Sequence, residues 1–214
     1  MLSHALTIVI NELERHLSEV YGAPNVSPQV RLGNIAEGVG SGAANAGSVP
    51  RDILAVSMVN IREEKTLKNV PNQTRNDSTL RVVYANPPVF LNFHVLIVAT
   101  HSSYSNALLM LSRAIKFFQM SNVFDQDSVA PASLTTNAPG QALDQLETFK
   151  LIFDLYSPTM EEVNHLWGTL GGKQYPFVLY TLRLLEMQFK AAQAEGGLIT
   201  DVVTDFYQKN AAAG

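Results

Sequence analysis

The sequence predicts an α+β domain, a mostly antiparallel sheet with helices packed on one side. Three observations predict it. Several segments alternate apolar and polar residues at a period of two, the pattern of strands with one wet face. Stretches with apolar residues at helical spacing interrupt them, in the order helix, strands, helix, strand, helix, strand. Finally, 46% of the 214 residues are hydrophobic, enough for a core and too many for a disordered chain.

The first helix is capped by Ser3 and carries the apolar stripe Leu6, Val9, Ile10, Leu13, Leu17 and Val20. Asn11, Glu12, Arg15, Ser18 and Glu19 fall on its wet side, and Gly22 and Pro24 end it. A short strand is expected within residues 30–35. The small-residue run from Gly38 to Ser48, closed by Pro50, reads as a flexible loop. Residues 53–62 read as a strand with Leu54, Val56 and Met58 on one face. The polar stretch 63–86 is a long loop or hairpin with a short strand at 82–84, and long ordered loops tend to be contact elements.

Val89–Ala99 is the clearest strand. Val89, Leu91, Phe93, Val95, Ile97 and Ala99 form one face, and Phe90, Asn92, His94, Leu96 and Val98 a mixed one, which predicts a central position. Pro87 and Pro88 sit just ahead of it, where no ladder donor is needed. Ser102 or Ser103 then caps a second helix, with Ala107, Leu108, Leu111, Ala114, Ile115 and Phe118 inward. Residues 126–140 read as a loop. Residues 148–156 alternate, with Phe149, Leu151, Phe153 and Leu155 on one face. Ser157-Pro158 predicts a helix start, with Met160, Val163, Leu166 or Trp167, and Leu170 buried before Gly171-Gly172. Phe177–Met187 is the last strand, with Val178, Tyr180, Leu182 and Leu184 together, and a tail follows Gly196-Gly197.

Composition excludes several functions. Fifteen Lys and Arg against 19 Asp and Glu give a net charge of -4, without the basic footprint that phosphate binding requires, so nucleic acid is not an expected partner. Without cysteine there are no disulfides, thiolate metal sites or cysteine nucleophiles. Met1-Leu2-Ser3-His4 lacks a signal peptide's basic region, and the apolar run Val89–Ala99 is far short of the ~20 residues of a membrane helix. The expectation is a chain made and folded in the cytoplasm, with no membrane insertion.

No motif carries chemistry. Gly38-Val39-Gly40-Ser41-Gly42-Ala43 matches the loose dinucleotide pattern, and Gly42 to Gly47 has P-loop spacing. Both need a helix directly behind the glycines, whereas Ser48-Val49 stands in place of Lys-Ser/Thr and Pro50 follows. No Gly-x-Ser-x-Gly elbow exists, and His4, His16, His94, His101 and His165 never pair at metal-binding spacing. Glu161-Glu162 diverge by about 100° on a helix and fit its dipole better than they fit an acid/base pair. Trp167, Phe117, Phe118 and Phe124 read as core aromatics. No catalytic, cofactor-binding or metal-ligating residue is assigned.

Three segments carry a family resemblance. The first is Val59-Asn60-Ile61-Arg62-Glu63-Glu64-Lys65-Thr66-Leu67-Lys68-Asn69. The second is Asn86-Pro87-Pro88-Val89-Phe90-Leu91-Asn92-Phe93-His94-Val95-Leu96-Ile97, which leads into Tyr104-Ser105-Asn106-Ala107-Leu108 and Ile115-Lys116-Phe117-Phe118-Gln119. The third is Glu162-Val163-Asn164-His165-Leu166-Trp167-Gly168-Thr169-Leu170-Gly171-Gly172-Lys173-Gln174-Tyr175-Pro176. Together they resemble the N-terminal domain of the cap, or tail-terminator, proteins of phage-tail-like extracellular contractile injection systems.

The resemblance implies a tail-terminator-like domain over residues 1–190 with a short tail, residues 191–214. It implies a non-enzymatic structural protein that forms a ring, a hexamer, on the distal end of the inner tube and last sheath layer, and ends their growth. Its implied partners are copies of itself, the inner tube protein and the sheath protein, in a particle that can be released extracellularly. No cofactor belongs to the pattern. Gly38, Gly40, Gly42, Arg62, Glu63, Glu64, Lys65, Asn69 and Arg75, all in loop-like stretches, are the candidate assembly contacts. The alternatives are another tube- or sheath-associated component, or an enzyme with a scattered active site.

Overall fold

A computed structural model describes residues 1–22, 29–40, 49–67, 71, 73–76, 81–84, 86–187 and 194–197. The chain divides into two compact units, residues 1–68 with 89–187, and residues 69–88 with 188–214. The elements in chain order are α1 (Leu2–Tyr21), β1 (Val30–Leu32), β2 (Val39–Gly40), β3 (Val49–Pro50), β4 (Leu54–Glu63), β5 (Gln73–Asn76), β6 (Arg81–Tyr84), β7 (Val89–Ala99), α2 (Tyr104–Met120), β8 (Val123–Asp125), α3 (Pro131–Thr135), β9 (Lys150–Tyr156), α4 (Met160–Thr169), β10 (Phe177–Met187) and β11 (Ala194–Gly197).

The first unit is built on a six-stranded sheet in the order β1-β4-β7-β10-β9-β8. Every pairing is antiparallel except that of the short edge strand β1 with β4. The expected α+β class and central Val89–Ala99 strand are both present. Phe93 lies between Ile61 of β4 and Leu182 of β10, and Val95 between Met58 and Tyr180. A register shift between Leu182 and Leu185 turns the end of β10, so Leu185 returns to the core face. The strand reading put Leu184 there, because it assumed unbroken alternation; the Leu184 side chain lies outside the described residues.

One sheet face packs against α1 and α2. Leu54, Val56, Phe93, Val95, Ile97, Leu151, Phe153, Tyr180 and Leu182 meet Ile8, Val9, Leu13 and Leu17 of α1 and Ala107, Met110, Leu111, Ala114, Phe117 and Phe118 of α2. Phe118 anchors an aromatic cluster, 4.9 Å from Phe153 and 4.7 Å from Tyr180. Burial pushes the Tyr180 phenol up to about 12.

Helix faces differ from the sequence reading in specific ways. In α2, Leu108 and Ile115 are exposed, and Met110 and Phe117 are inside. Packing both Phe117 and Phe118 under the helix rotates the buried face away from the expected stripe. In α1, Val20 is exposed and Glu12 is buried, the reverse of expectation. Ser3 lies inside the first turn, because the helix begins at Leu2 with Met1 at the cap.

The cause in α1 is the segment after β8, read from sequence as a loop, which covers the polar side of the helix. Asn11 Nδ2 donates to the carbonyls of Ser133 and Thr136, each at 2.9 Å, and the Ala130 amide donates to Glu12 Oε1 at 2.9 Å. His4 Nδ1 accepts from the Leu146 amide at 2.8 Å, so Nε2 carries the proton that reaches the Leu134 carbonyl at 3.0 Å. A cavity of about 10 Å³ beneath α1, lined only by apolar side chains, is a packing gap and too small for a ligand.

The opposite sheet face is covered in part by α4 and the stretch around β2 and β3. Val163 and Trp167 pack on Ala55, Leu96, Val98 and Leu179, with Ile35, Val49 and Ile53 beside them. Helices therefore lie on both faces, the longer two on one side and α4 on the other. Ser157-Pro158 does not start α4. Thr159 is the cap: its side chain accepts from the Glu162 amide at 3.3 Å, and Glu162 Oε2 accepts from the Thr159 amide at 2.8 Å. This reciprocal pair satisfies two orphan donors, which Pro158 at a first helical position cannot do. Met160 is consequently in water. Gly171 and Gly172, at φ 97° and 78°, end the helix with the Gly172 amide on the Trp167 carbonyl at 2.7 Å. Thr159→Ala is expected to destabilise the unit by about 1 kcal/mol in urea titration. No loss would mean that Val163 and Trp167 alone hold the helix.

In the second unit β5 and β6 form an antiparallel hairpin, as the polar stretch allowed, and β11 joins the other side of β6. β11 lies in the stretch read as a tail. Its sequence, Ala-Glu-Gly-Gly, lacks every strand signal.

Candidate assembly surface

The candidate contact residues fall into separate places. Gly38 sits at φ 87° behind a 3-10 turn, Ile35–Glu37, and its carbonyl accepts from the Val49 amide at 3.0 Å. Gly40 pairs with Pro50 in the parallel β2–β3 bridge. Strand pairing rather than a helix thus follows the glycine run, which removes the geometry a phosphate site needs. Gly42 and Asn69 lie outside the described residues. Arg75 belongs to β5 in the second unit, and its side chain lies outside the described residues.

Arg62, Glu63, Glu64 and Lys65 do form one surface, where β4 ends and runs into a 3-10 turn, Lys65–Leu67. Gly38 and Gly40 lie toward the other end of β4, a strand about 30 Å long at its usual rise. Glu64 fixes the exit from the strand. Its amide donates to the Phe90 carbonyl at 2.8 Å, and its carboxylate accepts from Asn92 Nδ2 at 2.8 Å, from the Thr66 amide at 3.1 Å and from the Thr66 hydroxyl. The Thr66 hydroxyl bond, then Asn92, hold this carboxyl below its ordinary value.

Sequence reasoning missed what this end shares with the rest of the sheet. Asn92 and His94 of β7, Thr181 and Arg183 of β10, and Asp154 and Tyr156 of β9 stand on the same face as Arg62, in successive paired rows. Arg183 Nε is 2.9 Å from Asp154 Oδ2. His94 stacks on Tyr156 with ring centroids 5.0 Å apart, and the Tyr156 hydroxyl donates to Glu162 Oε1 at 2.9 Å. Burial and then the Arg62 charge push the His94 pKa down, so its neutral form is favoured. The Thr159 amide, then the Tyr156 hydroxyl, hold Glu162 below the ordinary carboxylate range, and the same bond to Glu162 raises Tyr156. Tyr156 meets α4 through Glu162, while Asn92, His94, Thr181 and Asp154 are half-buried and Arg183 is exposed. The only sequence signal was the mixed alternate face of Val89–Ala99.

The arrangement is a mixed-charge surface. Glu162 serves the helix cap, and Glu161 beside it is exposed. Among the described residues no group of three or more His, Asp or Glu is placed to hold a metal, and no helix is long and apolar enough to cross a membrane. Trp167, Phe117, Phe118 and Phe124 are core residues, as their spacing suggested.

The profile of the Pvc16 N-terminal domain matches residues 4–201. Among solved structures, the chain is similar to the sheath/tube terminator of PVC, an extracellular contractile injection system, in its extended state. Identity is 12% and the TM-score 0.52, over 97% of this chain and 65% of that one. It is also similar to the anti-feeding prophage cap, the AFP tube terminating cap, at 13% identity and TM-score 0.51, over 92% of this chain and 60% of that one. The chain therefore spans less than two thirds of the length of either structure. No match is found among curated proteins.

Proposed function

The chain belongs to the Pvc16 N-terminal domain family, and from that premise we propose that it is a structural cap that ends the tube of a contractile injection particle. The observation that carries this reading is the family match across residues 4–201, over a fold shared with two tube-terminating proteins. The proposal includes a sixfold ring of this chain, one side of which sits on the last tube ring and the last sheath layer. It assigns the chain no catalysis.

The physical reason for a cap is the repetitive nature of a tube. Each stacked ring exposes the adhesive surface that the previous ring exposed, so growth ends durably only when a ring binds that surface and presents a different one above. The Arg62 to Lys65 strand end and the partly exposed polar rows supply surfaces of mixed charge for such docking.

The test is electron microscopy of particles from a strain lacking the gene, with the restored gene as control. The expected result is tube and sheath proteins still made, with particle length broadly distributed or sheaths lost. Particles of unchanged length with intact sheath would overturn the cap reading.

A further inference from the structure

We infer that copies of this chain join head to tail: the turn at Leu143 and Asp144 of one copy docks on α2 of the next, where Asp144 meets Arg113 and Lys116. The inference rests on the cap reading and names the surfaces that join its copies into a ring.

Leu109, Arg113, Lys116 and Met120 recur at spacings of four, three and four residues, which sets them in one row along α2. Leu109 and Met120 are 49% and 63% exposed, and Lys116 between them is exposed as well. Arg113 is half-buried. Its guanidinium lies over the Tyr21 ring, 4.2 Å from the centroid, at the C-terminal end of α1. Its Nη1 reaches the Met110 sulfur at 3.6 Å, and its Nε is buried with no hydrogen-bond partner. Among the described residues no carboxylate pairs with this cation. A charge drawn partly out of water without a counter-ion is costly, and a carboxylate arriving from outside relieves that cost.

The chain carries the complementary surface itself. α2 contains Arg113 and Lys116 and no acidic residue. The chain from Phe117 to Phe149 contains Asp125, Asp127, Asp144 and Glu147 and no Lys or Arg. Asp125 is engaged locally, since its carboxylate accepts from the Ser128 amide at 2.8 Å. Asp144 is exposed at the end of a 3-10 turn, Ala142–Asp144, and Leu143 beside it is 76% exposed. The turn is held in shape: the Asp144 amide donates to the Gln141 carbonyl at 3.0 Å, and Gln145 Nε2 to the Pro139 carbonyl at 2.8 Å. A fixed turn that presents one apolar and one acidic side chain docks without a large ordering cost. Met160 and Glu161 are a similar exposed pair, but they open α4 on the other sheet face, where Glu161 favours the helix dipole.

The two surfaces belong to opposite ends of α1. The turn is tied to the first by the Leu146 amide, which donates to His4 Nδ1 at 2.8 Å. The α2 stripe is tied to the last by the stack of Arg113 on Tyr21. At 1.5 Å per residue, His4 and Tyr21 stand about 25 Å apart along the helix. That separation holds the turn away from its own α2 stripe and lets one copy use both surfaces at once. Two different surfaces joined head to tail make a heterologous interface, the kind that closes into a ring by rotation. Leu143 set against Leu109 and Tyr21 removes apolar surface from water. It also shields the half-buried Arg113 from solvent, and its pair with Asp144 then outweighs an ordinary exposed ion pair.

A carbodiimide joins an amine to a carboxylate only where the two touch, so it tests the contact on wild-type particles without any substitution. The expected product is a covalent ladder of this chain whose mapped peptides link Lys116 to Asp144. Capped particles that give no such link, or that link Lys116 to a different protein, overturn the contact and leave the cap reading standing. Absence of the chain from the particle end would remove both. Charge reversal is the second test. Asp144→Lys, at an exposed position, is expected to lower the amount of chain held on particles about 10-fold or more, and Arg113→Glu added to it to return most of that loss. Glu161→Lys, on the other sheet face, is expected to leave the amount unchanged. Full occupancy with Asp144→Lys alone, or an equal loss from Glu161→Lys, overturns the inference. The carbodiimide result decides the contact whether or not the Arg113→Glu chain folds.

Discussion

Replacing Phe93 by alanine is expected to destabilise the first unit by about 3–5 kcal/mol, the usual loss for a buried aromatic. Phe93 is 1% exposed and occupies the middle strand of the sheet, between Ile61 and Leu182. Both neighbours are held in antiparallel pairing, so the backbone has little freedom to collapse into the space left behind. The measurement is urea unfolding of the purified chain. Val89, on the same strand and 45% exposed, supplies the internal control, and Val89→Ala is expected to change stability by about 0.5 kcal/mol or less. A Phe93→Ala loss below about 1 kcal/mol would show that β7 is not the central, two-sided strand described.

Glu12→Ala is expected to lose about 1–3 kcal/mol at neutral pH, because it strands a buried amide. The Glu12 side chain is 5% exposed, 2.6 Å from Arg15 Nη2, and accepts from the Ala130 amide at 2.9 Å. Burial alone pushes its carboxyl up, but hydrogen bonds from Arg15, Ser133 and Ala130 together outweigh burial and hold it below the ordinary glutamate value. A depressed folded pKa contributes stability above the unfolded pKa and loses it as pH falls through the folded one. The advantage of wild type over Glu12→Gln should therefore be full at neutral pH and shrink in acid, below about pH 4. Unfolding curves across that range check it. A difference that stays constant with pH would mean that the carboxylate charge plays no part in holding residues 129–133 against α1.

The elements that sequence read well are those whose own pattern is unambiguous. β7 alternates over eleven residues, and its odd positions are the core wherever its neighbours cover them. α1 carries a stripe wide enough to face a sheet, and β9 and the first half of β10 behave likewise. The candidate contact surface was legible only as a polar run. Arg62 to Lys65 lie together because they are consecutive, but their company of His94, Asp154, Tyr156 and Arg183 comes from strand order. Strand order depends on residues far apart in the chain, and no local pattern encodes it.

The sequence by itself determined the α+β class, the central strand, the absence of any catalytic motif and the family resemblance, because each rests on local periodicity or on residues adjacent in the chain. Only the tertiary structure decided which side of a helix is wet and where a sheet stops. Glu12 is polar by type yet buried, because residues 129–133 fold back over α1 and supply the amide that its carboxylate needs. Leu155 is apolar by type yet exposed, because β8 ends three residues short of it and leaves both its side chain and its backbone uncovered. In each case burial is set by a neighbour more than 25 residues away in sequence, whose position is fixed by packing and not by the residue's own chemistry.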